Sequence, residues 1–299
     1  MNKVFLFSGQ GSQEPGMFKN YYDKYDCVKE IFLCANNSLG RDIRDLIFYG
    51  TQKELNQTIN TQPAMLCIDL SISSILHSMN VLPKAVAGFS LGEYASLVEA
   101  GSIELSTAFR LIDIRAHAMA EAVTNDPCAM LAVSKLTEEK VEELVVRSVN
   151  ETNKYASIVN YNSPLQYVVA GYMETIIKIE EYVKINKGRS ARLQVSAPFH
   201  SKFMEHARRV LEKEFLGIKF NDAKIPIYMN YDGKPHFKNE EIKDLVLKQT
   251  SSPVRWLDTM NNMVKDGYND FIECGYGDVL TKLMKRTYED VNIVDSSNL

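Results

Sequence analysis

The chain has 299 residues, 45% of them hydrophobic and 24% charged, with a formal net charge of −4 at pH 7. This supports a packed core in one large domain, or in a large domain with a smaller one inserted. It offers no basic face for nucleic acid, no basic amphipathic segment for a membrane surface, and no apolar run long enough to span a bilayer.

Val4-Phe5-Leu6-Phe7 is a short unbroken apolar run, the pattern of a parallel strand buried on both faces. It is too short for the apolar region of a signal peptide, so a cytoplasmic protein is expected. The run ends in the Gly-rich loop Ser8-Gly9-Gln10-Gly11-Ser12-Gln13. That loop has no Gly-Lys-Ser/Thr ending and no third glycine at dinucleotide-fold spacing, which disfavours a phosphate cradle. Helices are expected over 21–39 and 43–49. A third is expected to begin at Gln62-Pro63, apolar on much of its surface from Ala64 to Leu76.

Ala85-Val86-Ala87 then leads into Gly88-Phe89-Ser90-Leu91-Gly92-Glu93-Tyr94. Gly-x-Ser-x-Gly between a buried strand and a helix suits a nucleophile elbow, in which a strained turn lifts a serine hydroxyl above a sheet. The glycines let strand and helix approach, and the helix N-terminus faces the serine, where negative charge would develop. An ordinary strand-to-helix turn is the alternative. A helix from Ser106 carries Arg115 among Ile112, Ile114 and Ala116. A cation there is costly to bury unless it meets an anion; the alternative is a surface arginine with its stem on the core. Strands alternating with helices indicate α/β architecture.

The texture changes near Asp126. Strands are expected over 129–133, 157–160, 167–170 and 191–195, with helices over 137–148 and 173–185. The order β-α-β-β-α-β is that of a ferredoxin-like unit. The expected architecture is an α/β-hydrolase-like large domain with a parallel sheet (1–125 and 191–299) and an inserted ferredoxin-like small domain (126–190). Beyond it come a helix over 202–215, a strand over 225–229, helices over 240–249 and 256–265, a strand over 270–273 and a helix over 279–286. Five scattered cysteines, Cys27, Cys34, Cys67, Cys128 and Cys274, form no Cys-x-x-Cys pair and read as free thiols rather than metal ligands.

A nucleophilic serine needs a base within hydrogen-bond reach. Of the five histidines, His77, His117 and His206 lie in helices and His236 in a polar loop. His200 follows Pro198 in a loop at the domain junction, where a rigid backbone can aim a side chain; a purely structural role is the alternative.

Seven motifs in one order resemble those of malonyl-CoA:acyl carrier protein transacylases, from Phe7 to Arg286. They are Gly9-Gln10-Gly11-Ser12-Gln13, Thr61-Gln62-Pro63-Ala64, Gly88 to Tyr94, Arg115, Asn160-Tyr161-Asn162-Ser163-Pro164-x-Gln166, Ser196-Ala197-Pro198-Phe199-His200-Ser201 and Pro253-Val254-Arg255-Trp256. The resemblance implies Ser90 as nucleophile and His200 as base. It implies the N–H groups of Gln10 and Leu91 as oxyanion hole, Arg115 as the clamp on a distal malonyl carboxylate, and the Gln249 carbonyl as orienter of the His200 ring. Asn162 would line or support the small domain. The implied partners are malonyl-CoA and a phosphopantetheinylated acyl carrier protein, with no bound cofactor or metal, coenzyme A thioester as substrate, and a monomer as the expected state. Three positions depart from the family pattern: Phe89 where His is usual, Ser8 where Pro or Ala is common, and Tyr276 where Pro is usual. A hydrolase of carrier-protein thioesters, a transferase for another dicarboxylic acyl group such as methylmalonyl, and an inactive carrier-binding scaffold are the competing readings.

Overall fold

The computed structural model describes residues 2–122, 126–195 and 197–296. The chain opens with β1 (Lys3–Phe7), α1 (Lys19–Lys24), α2 (Asp26–Leu39), α3 (Ile43–Tyr49), α4 (Gln52–Leu55) and α5 (Thr58–Ser78). Next come β2 (Ala85–Gly88), α6 (Gly92–Glu99) and α7 (Leu105–Glu121). The middle holds β3 (Cys128–Ser134), α8 (Glu138–Thr152), β4 (Ala156–Ser163), β5 (Gln166–Tyr172), α9 (Met173–Ile185) and β6 (Arg189–Arg192). A short 3-10 turn, Lys202–Met204, precedes α10 (Glu205–Phe215), β7 (Ile227–Tyr228), β8 (Pro235–His236) and α11 (Asn239–Gln249). The chain ends with α12 (Trp256–Lys265), β9 (Asp270–Cys274), α13 (Val279–Thr287) and β10 (Asn292–Asp295).

The fold is mixed α/β. A six-stranded sheet has the order β10-β9-β1-β2-β7-β8, parallel except for β8, which pairs antiparallel with β7. The apolar run in β1 has a simple cause: Phe5 and Phe7 enter one core cluster, Val4 and Leu6 the opposite one, and all four are fully buried. The first cluster packs against α2, α5 and α7; the second contains Trp256, Met260, Leu283 and Met284.

A second, four-stranded antiparallel sheet has the order β4-β5-β3-β6. One face packs against α8 and α9 through Val141, Leu144, Ile176 and Ile179. Met130, Val159, Val168 and Ala170 share a different cluster with Phe199, Met204 and Ala207, which joins this sheet to the large sheet's side of the molecule. Val254 stitches the two together. Its N–H donates to Val159 O at 2.9 Å, and its carbonyl accepts from Tyr161 N–H at 2.9 Å.

Several expectations shift. Helix α5 begins at Thr58, so Pro63 lies inside it rather than at its start. A proline there leaves the Ile59 carbonyl without its helical donor; Arg41 Nη2 supplies one at 2.6 Å. The strand expected over 191–195 occupies Arg189–Arg192, and the antiparallel sheet therefore runs past residue 190. The strand expected over 225–229 is confined to two residues, and α4, β8 and β10 carry no signal in the sequence pattern. Ser196, the first residue of the His200 motif, and residues 123–125 at the expected domain boundary lie outside the described residues.

Candidate active site

Ser90 sits between β2 and α6 with φ 54°, in the left-handed region. A non-glycine residue there costs about 1–2 kcal/mol, which the surrounding packing must offset. The flanking glycines are a steric requirement. A Cβ on Gly88 would lie 2.0 Å from the Gly92 carbonyl carbon, and one on Gly92 would lie 2.5 Å from the Phe7 oxygen. The elbow is thus wedged directly over the end of β1.

The Ser90 backbone is pinned from behind. Its N–H donates to Asn230 Oδ1 at 2.7 Å, and Asn230 Nδ2 donates to Gly88 O at 2.7 Å. The Asn230 N–H in turn donates to Glu93 Oε1 at 2.5 Å. Asn230 and Glu93 are fully buried.

Two cationic or potentially cationic groups meet the Ser90 hydroxyl. His200 Nε2 lies 2.7 Å from Oγ, and Arg115 Nη2 donates to Oγ at 3.0 Å. His200 Nδ1 faces the Gln249 carbonyl at 3.1 Å. A carbonyl can only accept, so Nδ1 carries the proton and Nε2 turns its lone pair to Ser90. Burial, and then the charge of Arg115, push the His200 imidazole down to about 3, against the pull of the Gln249 and Ser252 backbone groups. The ring is therefore a neutral base at any ordinary pH. His200 itself has φ 57°, so Ser90 and His200 both stand on strained turns.

Arg115, on α7, is 1% exposed. Its Nη1 donates to Gln62 Oε1 at 2.7 Å and its Nη2 to Gln249 Oε1 at 3.1 Å. Its Nε–H has no partner among the described residues. An orphaned buried donor of this kind costs about 1–3 kcal/mol, a penalty that an anionic ligand would remove.

Gln10 and Leu91 flank Ser90. Leu91 follows Ser90 and occupies the N-cap of α6, where backbone N–H groups lack helical acceptors. Gln10 lines the cleft beside Ser90. Its neighbour Gly9 lies so close to the elbow that a Cβ would come within 2.9 Å of the Phe89 ring. The departures at Ser8 and Tyr276 both anchor this region. Ser8 Oγ donates to the buried Asp69 Oδ1 at 2.7 Å, and the Tyr276 hydroxyl donates to Glu14. Phe89 meets Trp256 edge-on, with ring centroids 5.4 Å apart.

Gln10, Gln62, Phe89, Ser90 and His200 line a cleft of about 500 Å³ between the two sheets. The small sheet contributes Met130, Asn160, Asn162 and Val168 to its lining. Asn162 Oδ1 is buried there without a partner among the described residues.

All six sequence-predicted site residues converge here. The sequence pattern did not single out Glu93 and Gln62 beyond their motifs, nor Asn230 at all. Polar residues in apolar surroundings, Gln62 beside Pro63-Ala64-Met65 and Asn230 after Ile227-Tyr228-Met229, were the available signal.

Residues 4–299 match the acyl transferase domain family. The chain is 34% identical over 288 residues to the malonyl CoA-acyl carrier protein transacylase of Bacillus subtilis, covering 96% of this chain and 90% of that one. It is 35% identical over 285 residues to that of Escherichia coli, covering 95% and 92%. The Clostridium perfringens malonyl CoA-acyl carrier protein transacylase structure superposes with a TM-score of 0.95 at 32% identity, covering 100% of this chain and 94% of that one. A malonyl-transacylase solved in complex with its type II PKS acyl-carrier protein gives 0.95 at 32% identity, covering 100% and 97%. With the elbow serine, its imidazole and its buried arginine in place, the chain belongs to the acyl transferase family and, within it, to the malonyl CoA-acyl carrier protein transacylases.

Proposed function

We propose that the protein moves a malonyl group from coenzyme A to the phosphopantetheine thiol of an acyl carrier protein, through a malonyl ester on Ser90. One observation carries this reading: a single serine hydroxyl meets a neutral imidazole at 2.7 Å and a buried guanidinium at 3.0 Å.

His200 Nε2 takes the Ser90 proton as Oγ attacks the thioester carbonyl. The oxyanion forms against the N–H groups of Gln10 and Leu91, at the positive end of α6. The intermediate collapses, the C–S bond breaks, and the proton on Nε2 passes to the coenzyme A sulfur. The second half-reaction runs the same steps in reverse, with the pantetheine thiol of the carrier protein as nucleophile and Ser90 as leaving group. The Gln249 carbonyl holds the ring tautomer, so no third carboxylate is required. The distal malonyl carboxylate takes the Nε–H and other N–H groups of Arg115 and partly cancels the charge that depresses His200. The bound acyl group thereby makes its own base stronger. Thioester, ester and thioester are close in energy, so the protein's task is to lower barriers and keep water from the acyl-serine.

A hydrolase of neutral acyl chains has no use for a buried guanidinium, and that argues for transfer of a dicarboxylic acyl group. The strand order β4-β5-β3-β6 with α8 and α9 on one face supports a ferredoxin-like unit set into an α/β-hydrolase-like domain. The same reading takes the enzyme as a cytoplasmic monomer that uses malonyl-CoA as substrate and holds no cofactor.

The test is a two-step turnover. Malonyl-CoA alone should load the enzyme with one malonyl group, and carrier protein added next should remove it as malonyl-carrier thioester. Free malonate forming faster than the thioester would replace the transferase by the hydrolase.

A further inference from the structure

Glu93 and Arg115 are both buried, yet no ion pair joins them among the described residues. The Gln249 side chain, also fully buried, lies between them. Its Oε1 accepts from Arg115 Nη2 at 3.1 Å, and its Nε2 donates to Glu93 Oε2 at 3.0 Å and to Ser90 O at 2.6 Å. This amide has one workable orientation. Turned end for end, it would point N–H groups at the guanidinium and an oxygen at the Ser90 carbonyl. Glu93 is fixed at its other oxygen by the Asn230 N–H, and Asn230 holds the Ser90 N–H.

We propose that Glu93 is a positioning residue that sets the preference for acyl groups bearing a distal carboxylate: it holds the Gln249 amide with its neutral oxygen toward Arg115, so that the protein's own acid lies one amide away from the clamp instead of on it. A carboxylate in direct contact with Arg115 would form the same charge-assisted pair that the substrate must form, and would compete with it. Without the acceptor at Glu93, the amide loses one of the two acceptors that fix its Nε2, and only the Ser90 carbonyl and the guanidinium still set its orientation. The spacer thus serves an acid-bearing site that must still receive an acid. The inference deepens the proposed function and rests on the reading of Arg115 as the clamp.

The experiment exchanges the two groups in the full-length protein. The double variant Glu93→Gln with Gln249→Glu keeps the count of acids and amides but moves the carboxylate onto Arg115. Single-turnover loading of Ser90 is measured with malonyl-CoA and with acetyl-CoA, which lacks the distal carboxylate. The expected result is a fall of more than tenfold in the malonyl-to-acetyl loading ratio. An unchanged ratio, whether or not both rates fall together, would overturn the inference, because loss of the elbow contacts alone affects both acyl groups equally. If the double variant lacks a folding transition, Gln249→Glu alone reads the same ratio, since it too sets a carboxyl group against Arg115. Arg115→Ala is run alongside. If it leaves the ratio unchanged, the clamp reading itself fails; if it collapses the ratio and the exchange does not, only the role of Glu93 fails.

Discussion

On the large-sheet side of the cleft, Ser90, Arg115, His200 and Gln249 are hydrogen-bonded to one another, and all but Ser90 are buried. On the antiparallel-sheet side, Met130 and Val168 present apolar surface, and Asn162 presents a buried oxygen without a partner among the described residues. The first wall is tightly constrained: its polar groups hold one another, with the Arg115 Nε–H left over, two residues stand at positive φ, and glycines admit no Cβ. The second wall mixes apolar surface with the amides of Asn160, Asn162 and Gln166. The contrast is between fixed polar partners on one side and, on the other, largely apolar surface with an unmet acceptor at Asn162.

The largest effect that would break this comparison is steric. Gly88→Ala drives a methyl group into the Gly92 and Glu93 backbone, and loss of both the folding transition and Ser90 loading is expected in a thermal melt and a loading assay. A variant with a normal melt and normal loading would show that the elbow is less constrained than its geometry states. Next in size is Arg115→Ala. Losing one charge-assisted contact of about 1.5–3 kcal/mol should slow malonyl transfer roughly ten- to a hundredfold and acetyl transfer far less.

Changing pH sharpens the comparison without mutation. His200 is held at about 3 in the folded protein and returns to its ordinary value near 6.5 on unfolding. The unfolded chain therefore binds a proton between these values that the folded chain does not. The resulting stability is full above about pH 6.5 and is lost as the pH falls toward 3. The melting temperature of His200→Gln should accordingly fall less steeply than that of the wild type across that window. Acylation of Ser90 should also keep its rate well below pH 6; an acid limb centred at 6.5 would show that the ring titrates as an exposed imidazole. The smallest effect is expected at Asn162→Ala. It removes an oxygen that has no partner among the described residues, so stability should be unchanged within about 0.5 kcal/mol and loading should change only a few-fold. A loss as large as that of Arg115→Ala would move part of the chemistry to the second wall.

Much of the first wall could be read along the chain. Gly88 and Gly92 around Ser90, Pro198 before His200 and the isolated charge of Arg115 are local signals of strain or of costly burial. The residues that hold these groups in place could not be read in this way. Asn230 lies 140 positions from Ser90 and Gln249 lies 156 from Glu93, so their partnership exists only after the sheet is assembled. Elements failed for related reasons. Strand β6 is exposed along Arg189–Arg192, so the apolar residues that mark a strand there begin too late, at Ala191, and β8 and β10 are short edge strands with no apolar alternation. Pro63 reads as a helix start because the group that compensates it inside the helix, Arg41, lies 22 residues earlier in the chain.

The most direct measurement is the site of attachment after brief exposure to radiolabelled malonyl-CoA, mapped by peptide analysis in the wild type and in Ser90→Ala. Label confined to the Ser90 peptide in the wild type, and absent from the variant, is the predicted result. Equal label retained by Ser90→Ala would contradict the assignment of the nucleophile and, with it, the division between the two walls.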